Sequence, residues 1–121
     1  MPQRQVVAKE LANMFKVMGH PDRIRVIEEL GNGEKDVNSL VDILGLPGPR
    51  VSQHLGLMRS NRIVVERCEG RHRFYRLIQP EVASWIVDGL RFIEGFNSGP
   101  SQSVIGTARD LWTSPVIDTT K

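Results

Sequence analysis

The chain reads VSQHLGLMR over residues 51–59 and IVVERCEGRHRFYRL over residues 63–77, and these two stretches decide the fold. The first has the spacing of an amphipathic helix. The second alternates as two β-strands do, with a turn at Glu69-Gly70-Arg71. Seven arginines and only two acids lie between Arg50 and Arg76, a local balance of +5 in a chain whose net charge is only +2. An arginine-rich hairpin beside an exposed helix predicts a surface for a polyanion.

Apolar residues recur at helical spacing in other segments as well. The predicted helices cover about Gln5–Met18, Asp22–Leu30, a third segment capped by Asp36 or Asn38 and closed by Gly45, a fourth that opens at Pro49, and a last one from Pro80 to Phe96. The predicted order is α-α-α-α-β-β-α, a mainly α fold with a small β-hairpin. This order is typical of a winged helix-turn-helix, in which the third and fourth helices form the helix-turn-helix, the fourth enters the DNA groove and the hairpin is the wing.

Length and composition indicate one small domain of 121 residues. We predict a DNA-binding and dimerisation domain over residues 1–97. Residues 98–121, rich in Ser, Thr, Gly and Pro, are expected to be a flexible or docked tail. One cysteine allows no intrachain disulfide, and no apolar run reaches membrane-spanning length. No signal-peptide core is visible at the start, so a cytoplasmic protein without a membrane partner is expected.

The first and last helices each carry a broad apolar stripe with large side chains. One small domain has no obvious way to bury both stripes, so we predict a homodimer through these helices. The alternative is that the two helices cover each other within one protomer. The predicted dimerisation residues are Leu11, Met14, Phe15, Met18, Trp85, Ile86, Gly89, Phe92 and Ile93.

Candidate DNA contacts lie on the fourth helix and the hairpin. They are Pro49, Arg50, Ser52, Gln53, His54, Arg59, Arg67, Arg71, His72 and Arg73. Arg50 and Gln53 are the predicted base readers, because arginine bonds guanine and glutamine bonds adenine bidentately. Ser52 and His54 are either DNA contacts or structural residues, one bonding backbone and the other packing between helices.

The remaining arginines have different expected roles. Arg71 and His72 lie at the wing tip, within reach of a minor groove or the flanking backbone. Arg67 and Arg73 are expected to contact phosphates or to form a solvated face, and Arg59 to contact the DNA backbone. For Arg23 on the second helix we expect a salt bridge, with Asp22 or Glu66 as its partner.

These residues together resemble the ArsR/SmtB family of bacterial repressors over roughly Lys9 to Phe96. The resemblance rests on MGHPDRIRVI at residues 18–27, VSQHL at 51–55 and EGRHRFYRL at 69–77. It implies a homodimer that binds an inverted-repeat operator in double-stranded DNA. Members of the family usually dissociate from the operator when an inducer, often a metal ion, binds.

The chain departs from the family pattern at the usual metal sites. Residues 36–40 hold no Cys-x-Cys pair, and the last helix has no histidine. His20, His54, His72 and Cys68 lie on different elements and are not expected to converge, so we predict no metal site and no cofactor. The polar capping residues often found before the recognition helix are replaced by Pro47-Gly48-Pro49, which leaves the operator sequence open.

Alternative functions depend mainly on Cys68. As a lone cysteine it is either a small packing residue or a redox sensor whose thiolate Arg67, Arg71 and His72 would stabilise. A winged-helix protein-interaction module without promoter function is a further alternative. Cys68 and His72 lack an orienting acid, so we predict no enzyme. The inducer, the target genes and the choice between repression and activation stay open.

Overall fold

The computed structural model describes residues 2–94, which form five helices and three short strands. In chain order the elements are α1 (Pro2–Met18), α2 (Pro21–Leu30), β1 (Lys35–Asp36), α3 (Val37–Leu44), α4 (Gly48–Ser60), β2 (Val64–Glu69), β3 (His72–Leu77) and α5 (Glu81–Glu94). The predicted winged helix-turn-helix fold is confirmed. The two-residue strand β1 is an addition that the sequence pattern did not indicate.

The three strands form one antiparallel sheet in the order β1-β3-β2. Strands β2 and β3 are the wing, and Gly70 in the turn between them has φ of +60°, a conformation that glycine adopts without a steric penalty. In the register of the sheet, Lys35 of β1 lies opposite Tyr75 of β3. Because β1 runs directly into α3, this pairing fixes the wing relative to the helix-turn-helix.

The helix-turn-helix has well-defined ends. Asp36 caps α3, its Oδ1 accepting a hydrogen bond of 2.9 Å from the backbone N–H of Ser39. Gly45 ends α3 in the left-handed conformation, with φ of 65°. Pro47 precedes α4 without a side-chain cap, and Pro49 lies in the first turn, as predicted. The departure at Pro47-Gly48-Pro49 therefore leaves α4 without a polar side chain on its first amides.

One apolar core joins the helices to the base of the wing. It contains Val17, Met18, Val26, Ile27, Leu30, Leu40, Val51, Leu55, Met58, Ile63, Val64, Tyr75, Leu77 and Val82. The inner ends of β2 and β3 belong to it, whereas the wing from Arg67 to Arg73 is exposed. The wing is thus anchored at one end and presented to solvent at the other.

Within residues 2–94, no helix is both long and apolar enough to cross a membrane. The predicted tail over residues 98–121, and the domain boundary at residue 97, lie outside the described residues.

Candidate nucleic-acid interface

Helix α4 has two distinct faces. Val51, Leu55 and Met58, at helical spacing, are fully buried against the rest of the domain. The predicted DNA contacts on its first turns lie on the opposite side, where Pro49, Arg50, Ser52 and Gln53 are all exposed. The core therefore orients the N-terminal half of α4 so that these side chains face solvent.

Arg50 is held by an acid from another helix. Its Nε and Nη2 atoms lie 2.7 and 2.6 Å from Oδ2 of Asp22, at the start of α2. Nε2 of His54 lies 3.0 Å from the same oxygen. The backbone N–H of Asp22 donates a hydrogen bond of 3.0 Å to Nδ1 of His20, which caps α2. The structure thus joins the first turns of α2 and α4 through one carboxylate.

The carboxylate of Asp22 is ionised at neutral pH. Burial raises the pKa of Asp22, but hydrogen bonds from His54 and Arg50 and the charge of Arg50 outweigh burial and leave the pKa below its ordinary value of 3.8. The side chain of His54 is only partly exposed, and its Nε2 contacts Oδ2 of Asp22. This contact between two helices agrees with the structural alternative that the sequence left open for His54. Its role as a DNA contact stays a prediction.

Two predictions about this region are wrong. Asp22 pairs with Arg50 and His54 rather than with Arg23, whose Nε is buried without a hydrogen-bond partner among residues 2–94. Glu66, the other proposed partner of Arg23, is taken by side chains that lie nearer to it in the wing and α4. Sequence order shows that Arg23 and Asp22 are neighbours, but adjacent residues of a helix point in different directions.

The second correction concerns the histidines. His20 and His54 were expected to lie apart, yet they come together with Asp22, and one potential ligand atom from each residue lies within 4.8 Å of the others. Their ring centroids are 4.7 Å apart. Imidazole nitrogens and a carboxylate oxygen are a ligand set that zinc accepts. Oδ2 of Asp22 is already engaged by Arg50, so an ion bound to that oxygen would compete with a guanidinium.

The wing arginines differ in how much of their charge is engaged. Arg67 forms hydrogen bonds of 2.7 and 3.2 Å with the carboxylate of Glu34, pairs also with Glu69, and has its Cζ 4.5 Å from the ring centroid of Phe74. The hydrogen bonds that Arg67 donates to the carboxylates of Glu34 and Glu69 raise the pKa of its guanidinium. These contacts hold Arg67 against the protein surface and favour a structural role over a phosphate contact.

Arg59 and Arg73 share an acid. Nη1 of Arg59 lies 2.9 Å from Oε1 of Glu66, and Nη1 of Arg73 lies 3.9 Å from Oε2. Both arginines are exposed. Arg71, in the wing turn, has no acidic partner within salt-bridge distance in residues 2–94. Among the predicted DNA contacts of the wing, Arg71 and the loosely paired Arg73 are therefore less engaged by acids than Arg67.

A cleft of about 230 Å³ lies between the wing and the helix-turn-helix. It is lined by Asp36, Val37, Asn38, Ser52, Arg71, His72 and Arg73. The N-terminal end of α3 forms one side and the wing tip the other, with α4 contributing Ser52. Nδ1 of His72 lies 3.4 Å from Oδ2 of Asp36. The sequence did not predict that Asn38 lines this cleft. Nothing in the pattern around Asn38 indicates that it lies opposite a hairpin more than thirty residues away.

The predicted dimerisation residues divide into an exposed and a buried group. Leu11, Phe15, Trp85, Phe92 and Ile93 are exposed, Phe92 by 75%. Met14, Ile86 and Gly89 are half-buried. Met18 differs from the prediction: it is only 8% exposed and packs in the core, so it has little surface to offer a partner. The alternative, in which α1 and α5 cover each other's apolar stripes within one protomer, is therefore wrong for the exposed group.

The single cysteine lies on the surface of the wing. Cys68 is exposed in β2, opposite Arg73 of β3. The expectation that it is a small packing residue is therefore wrong, because the outer half of β2 projects beyond the core. Its response to oxidants stays a prediction.

Residues 20–65 match the family model described as bacterial regulatory protein, arsR family. The HTH-type transcriptional regulator KmtR of Mycobacterium tuberculosis is 33% identical over 90 residues, which cover 74% of this chain and 68% of KmtR. The crystal structure of the transcriptional repressor BigR from Xylella fastidiosa has 33% identity and a TM-score of 0.65, covering 76% of this chain and 93% of that one.

A third likeness concerns the fold alone. The homodimeric winged helix-turn-helix DNA-binding domain Mb0332 from Mycobacterium bovis has a TM-score of 0.68 at 20% identity, covering 83% of this chain and 96% of that domain. The fold is a winged helix-turn-helix, and the likeness to the regulators KmtR and BigR puts the chain in the transcription-regulator class. The chain belongs to the ArsR family of bacterial regulatory proteins.

Proposed function

We propose that the protein is a homodimeric transcriptional repressor that binds an inverted-repeat operator. One observation carries the proposal: the exposed side of α4 and the basic wing tip border the same cleft, through Ser52, Arg71 and Arg73. Repressor names among the relatives support the direction of regulation. In this proposal residues 1–97 form the DNA-binding and dimerisation domain.

In the proposed complex, each protomer inserts α4 into a major groove. The two helices of a dimer then read half-sites about 34 Å apart, one turn of the double helix. Arg50 and Gln53 contact base edges and confer sequence preference. Arg71 and Arg73 contact phosphates, as do Arg59 and His72 in part, and these contacts supply affinity without sequence information.

The exposed residues of α1 and α5 support the homodimer. An apolar surface that includes Phe15, Trp85 and Phe92 is costly to leave in water, and a second copy of the same surface would cover it with two-fold symmetry. The Mycobacterium bovis domain, which has the same fold, is described as homodimeric.

The test is fluorescence anisotropy with the metal-free, reduced protein. Labelled DNA from upstream of its own gene is compared with a scrambled duplex of equal length. The proposal predicts selective binding with a strong salt dependence. If each dimer neutralises about six phosphates, the logarithm of the association constant falls with the logarithm of salt concentration with a slope of about −5.

Two results would contradict the proposal. A DNA pool in which the protein enriches no sequence argues against operator recognition. Equally weak binding to all DNA, with little salt dependence, would instead favour the winged-helix protein-interaction module.

A further inference from the structure

Arg50 presents one edge of its guanidinium to Asp22 and the other to solvent. A guanidinium has five N–H donors in a fixed plane. The contacts to Oδ2 of Asp22 use Nε and one hydrogen of Nη2. Within residues 2–94 the opposite edge, formed by Nη1 and the second hydrogen of Nη2, has no acceptor, and the side chain remains 52% exposed. The ion pair therefore orients Arg50 and leaves a two-donor edge free.

The free edge matches what a base reader needs. Bidentate recognition of guanine requires two parallel N–H donors aimed at O6 and N7. An unrestrained arginine samples many rotamers and must lose that freedom on binding. A side chain already held in one orientation loses less of it, which raises affinity for the DNA that fits that orientation.

Asp22 is itself held in place. Its side chain is 14% exposed, receives the His54 contact, and belongs to a helix whose first turn is capped by His20. His54 lies on α4, one turn after Arg50, so the carboxylate is fixed relative to the helix that it supports. The restraint on Arg50 thus comes from two helices whose packing is set by the core.

We propose that Asp22 is a positioning residue for DNA recognition, holding Arg50 so that its free guanidinium edge faces the base pairs. The inference rests on the proposed function and deepens it. His54 acts through Asp22 in the same way, by fixing the carboxylate from the other side.

A divalent metal ion is the competing occupant of this cluster. It would need His20, Asp22 and His54 as ligands. Nδ1 of His20, however, accepts the backbone N–H of Asp22, and Oδ2 of Asp22 accepts both donors of Arg50. An ion bound to either of these two atoms would displace these contacts, so the bonding pattern favours arginine as the partner of Oδ2.

The test uses the full chain and duplexes that the wild-type protein enriches from a random pool, with scrambled duplexes as the reference. Asp22→Asn removes a negative charge near the DNA, which by simple electrostatics strengthens binding to every duplex. Positioning predicts the opposite for the selected DNA. We expect its affinity to fall about 10-fold, while affinity for scrambled DNA stays equal or rises.

Two comparisons separate positioning from a structural role. Glu29→Gln removes a charge from the same helix, where Glu29 pairs with Arg25, and is expected to leave the ratio of selected to scrambled affinity unchanged. In an Arg50→Ala background, Asp22→Asn should no longer alter that ratio, because the residue through which it acts is gone. Thermal melting verifies that each variant is folded.

Each outcome has one meaning. Failure of the wild-type protein to enrich any sequence overturns the proposed function and the inference with it. Enrichment by the wild type with an unchanged ratio in Asp22→Asn overturns the inference alone, as does a ratio that Asp22→Asn still lowers when Arg50 is absent. A wild-type preference that requires added Zn²⁺ and disappears with EDTA also overturns it, in favour of the metal ion.

Discussion

At the scale of single residues, charged side chains of one type differ according to their partners. Arg67 is bound by two acids and lies on Phe74, whereas Arg73 has only a distant contact with Glu66. Arg50 is paired and yet keeps one edge free. Counting arginines in the wing therefore overestimates the charge available to DNA, and the geometry of each pair decides which of them can bind it.

Truncation of Arg50 and truncation of Arg73 are expected to change DNA binding in different ways. Arg50→Ala removes a proposed base contact, so discrimination between selected and scrambled DNA should fall by about 1–3 kcal/mol. Arg73→Ala removes a proposed phosphate contact, so affinity for all DNA should fall alike and the salt slope of a dimer should become about 2 smaller in magnitude. Anisotropy titrations at several salt concentrations measure both quantities. Equal losses on every sequence for both variants would refute this division of roles.

At the scale of elements, a carboxylate couples the wing to the recognition helix. The hydroxyl of Tyr75 in β3 donates a hydrogen bond of 2.8 Å to Oε2 of Glu66 in β2, while Arg59 near the end of α4 binds Oε1 at 2.9 Å. Tyr75 is buried, so this network lies at the boundary between the core and the exposed wing. It fixes the end of α4 to both wing strands.

This network predicts a pH-dependent loss of stability in Tyr75→Phe. The hydrogen bond from Tyr75 is the main cause of the lowered pKa of Glu66, with the charges of Arg59 and Arg73 adding to it. A lowered pKa stabilises the fold above the unfolded value of about 4.5, and this stabilisation is lost as pH falls through the folded-state pKa. Tyr75→Phe should reduce the free energy of unfolding by about 1–2 kcal/mol at pH 7.

Urea denaturation at neutral and acidic pH measures the effect. The difference between wild type and Tyr75→Phe should shrink as Glu66 becomes protonated. Glu66→Gln is the matched control, because in that background the Tyr75→Phe difference should be nearly independent of pH. A loss of constant size at every pH in both backgrounds would mean that the hydroxyl acts through something other than the charge of Glu66.

At the scale of the whole molecule, the protomer has an incomplete apolar surface. Helices α1 and α5 each pack against α2, but their outer faces expose several large side chains. A domain of this size buries a smaller fraction of its apolar surface than a larger one does. A two-fold partner would cover these faces and would set the spacing between the two copies of α4.

Phe92→Glu is expected to weaken the proposed dimer. Placing a charge at the most exposed of the large apolar residues should raise the dissociation constant by about 30-fold or more, corresponding to about 2 kcal/mol at an interface hot spot. Sedimentation equilibrium over a concentration series measures it. Ile43→Glu is the control, since Ile43 is an exposed apolar residue of α3 outside the proposed interface. An unchanged dissociation constant in Phe92→Glu would place the interface elsewhere.

Much of the fold was predictable because its signals are local. The spacing of Val51, Leu55 and Met58 identifies α4 without reference to any other element. Alternation and Gly70 identify the wing, and Gly45 marks the end of α3. Strand β1 carried no such signal. Two residues are too few for a pattern, and β1 exists only because it pairs with Tyr75 and Phe74 of β3.

By itself, the sequence determined the order of the helices and wing strands and the identity of the basic surface, since periodicity and residue type act over a few neighbouring positions. Tertiary structure decided which charges meet. Asp22 and Arg50 are 28 residues apart, and Asp22 and His54 are 32 apart. Tertiary packing also leaves Nε of Arg23 without the predicted acidic partner among residues 2–94 and buries Met18, which was predicted to be exposed. Such contacts depend on how α2 and α4 pack around a common core, which local patterns do not encode.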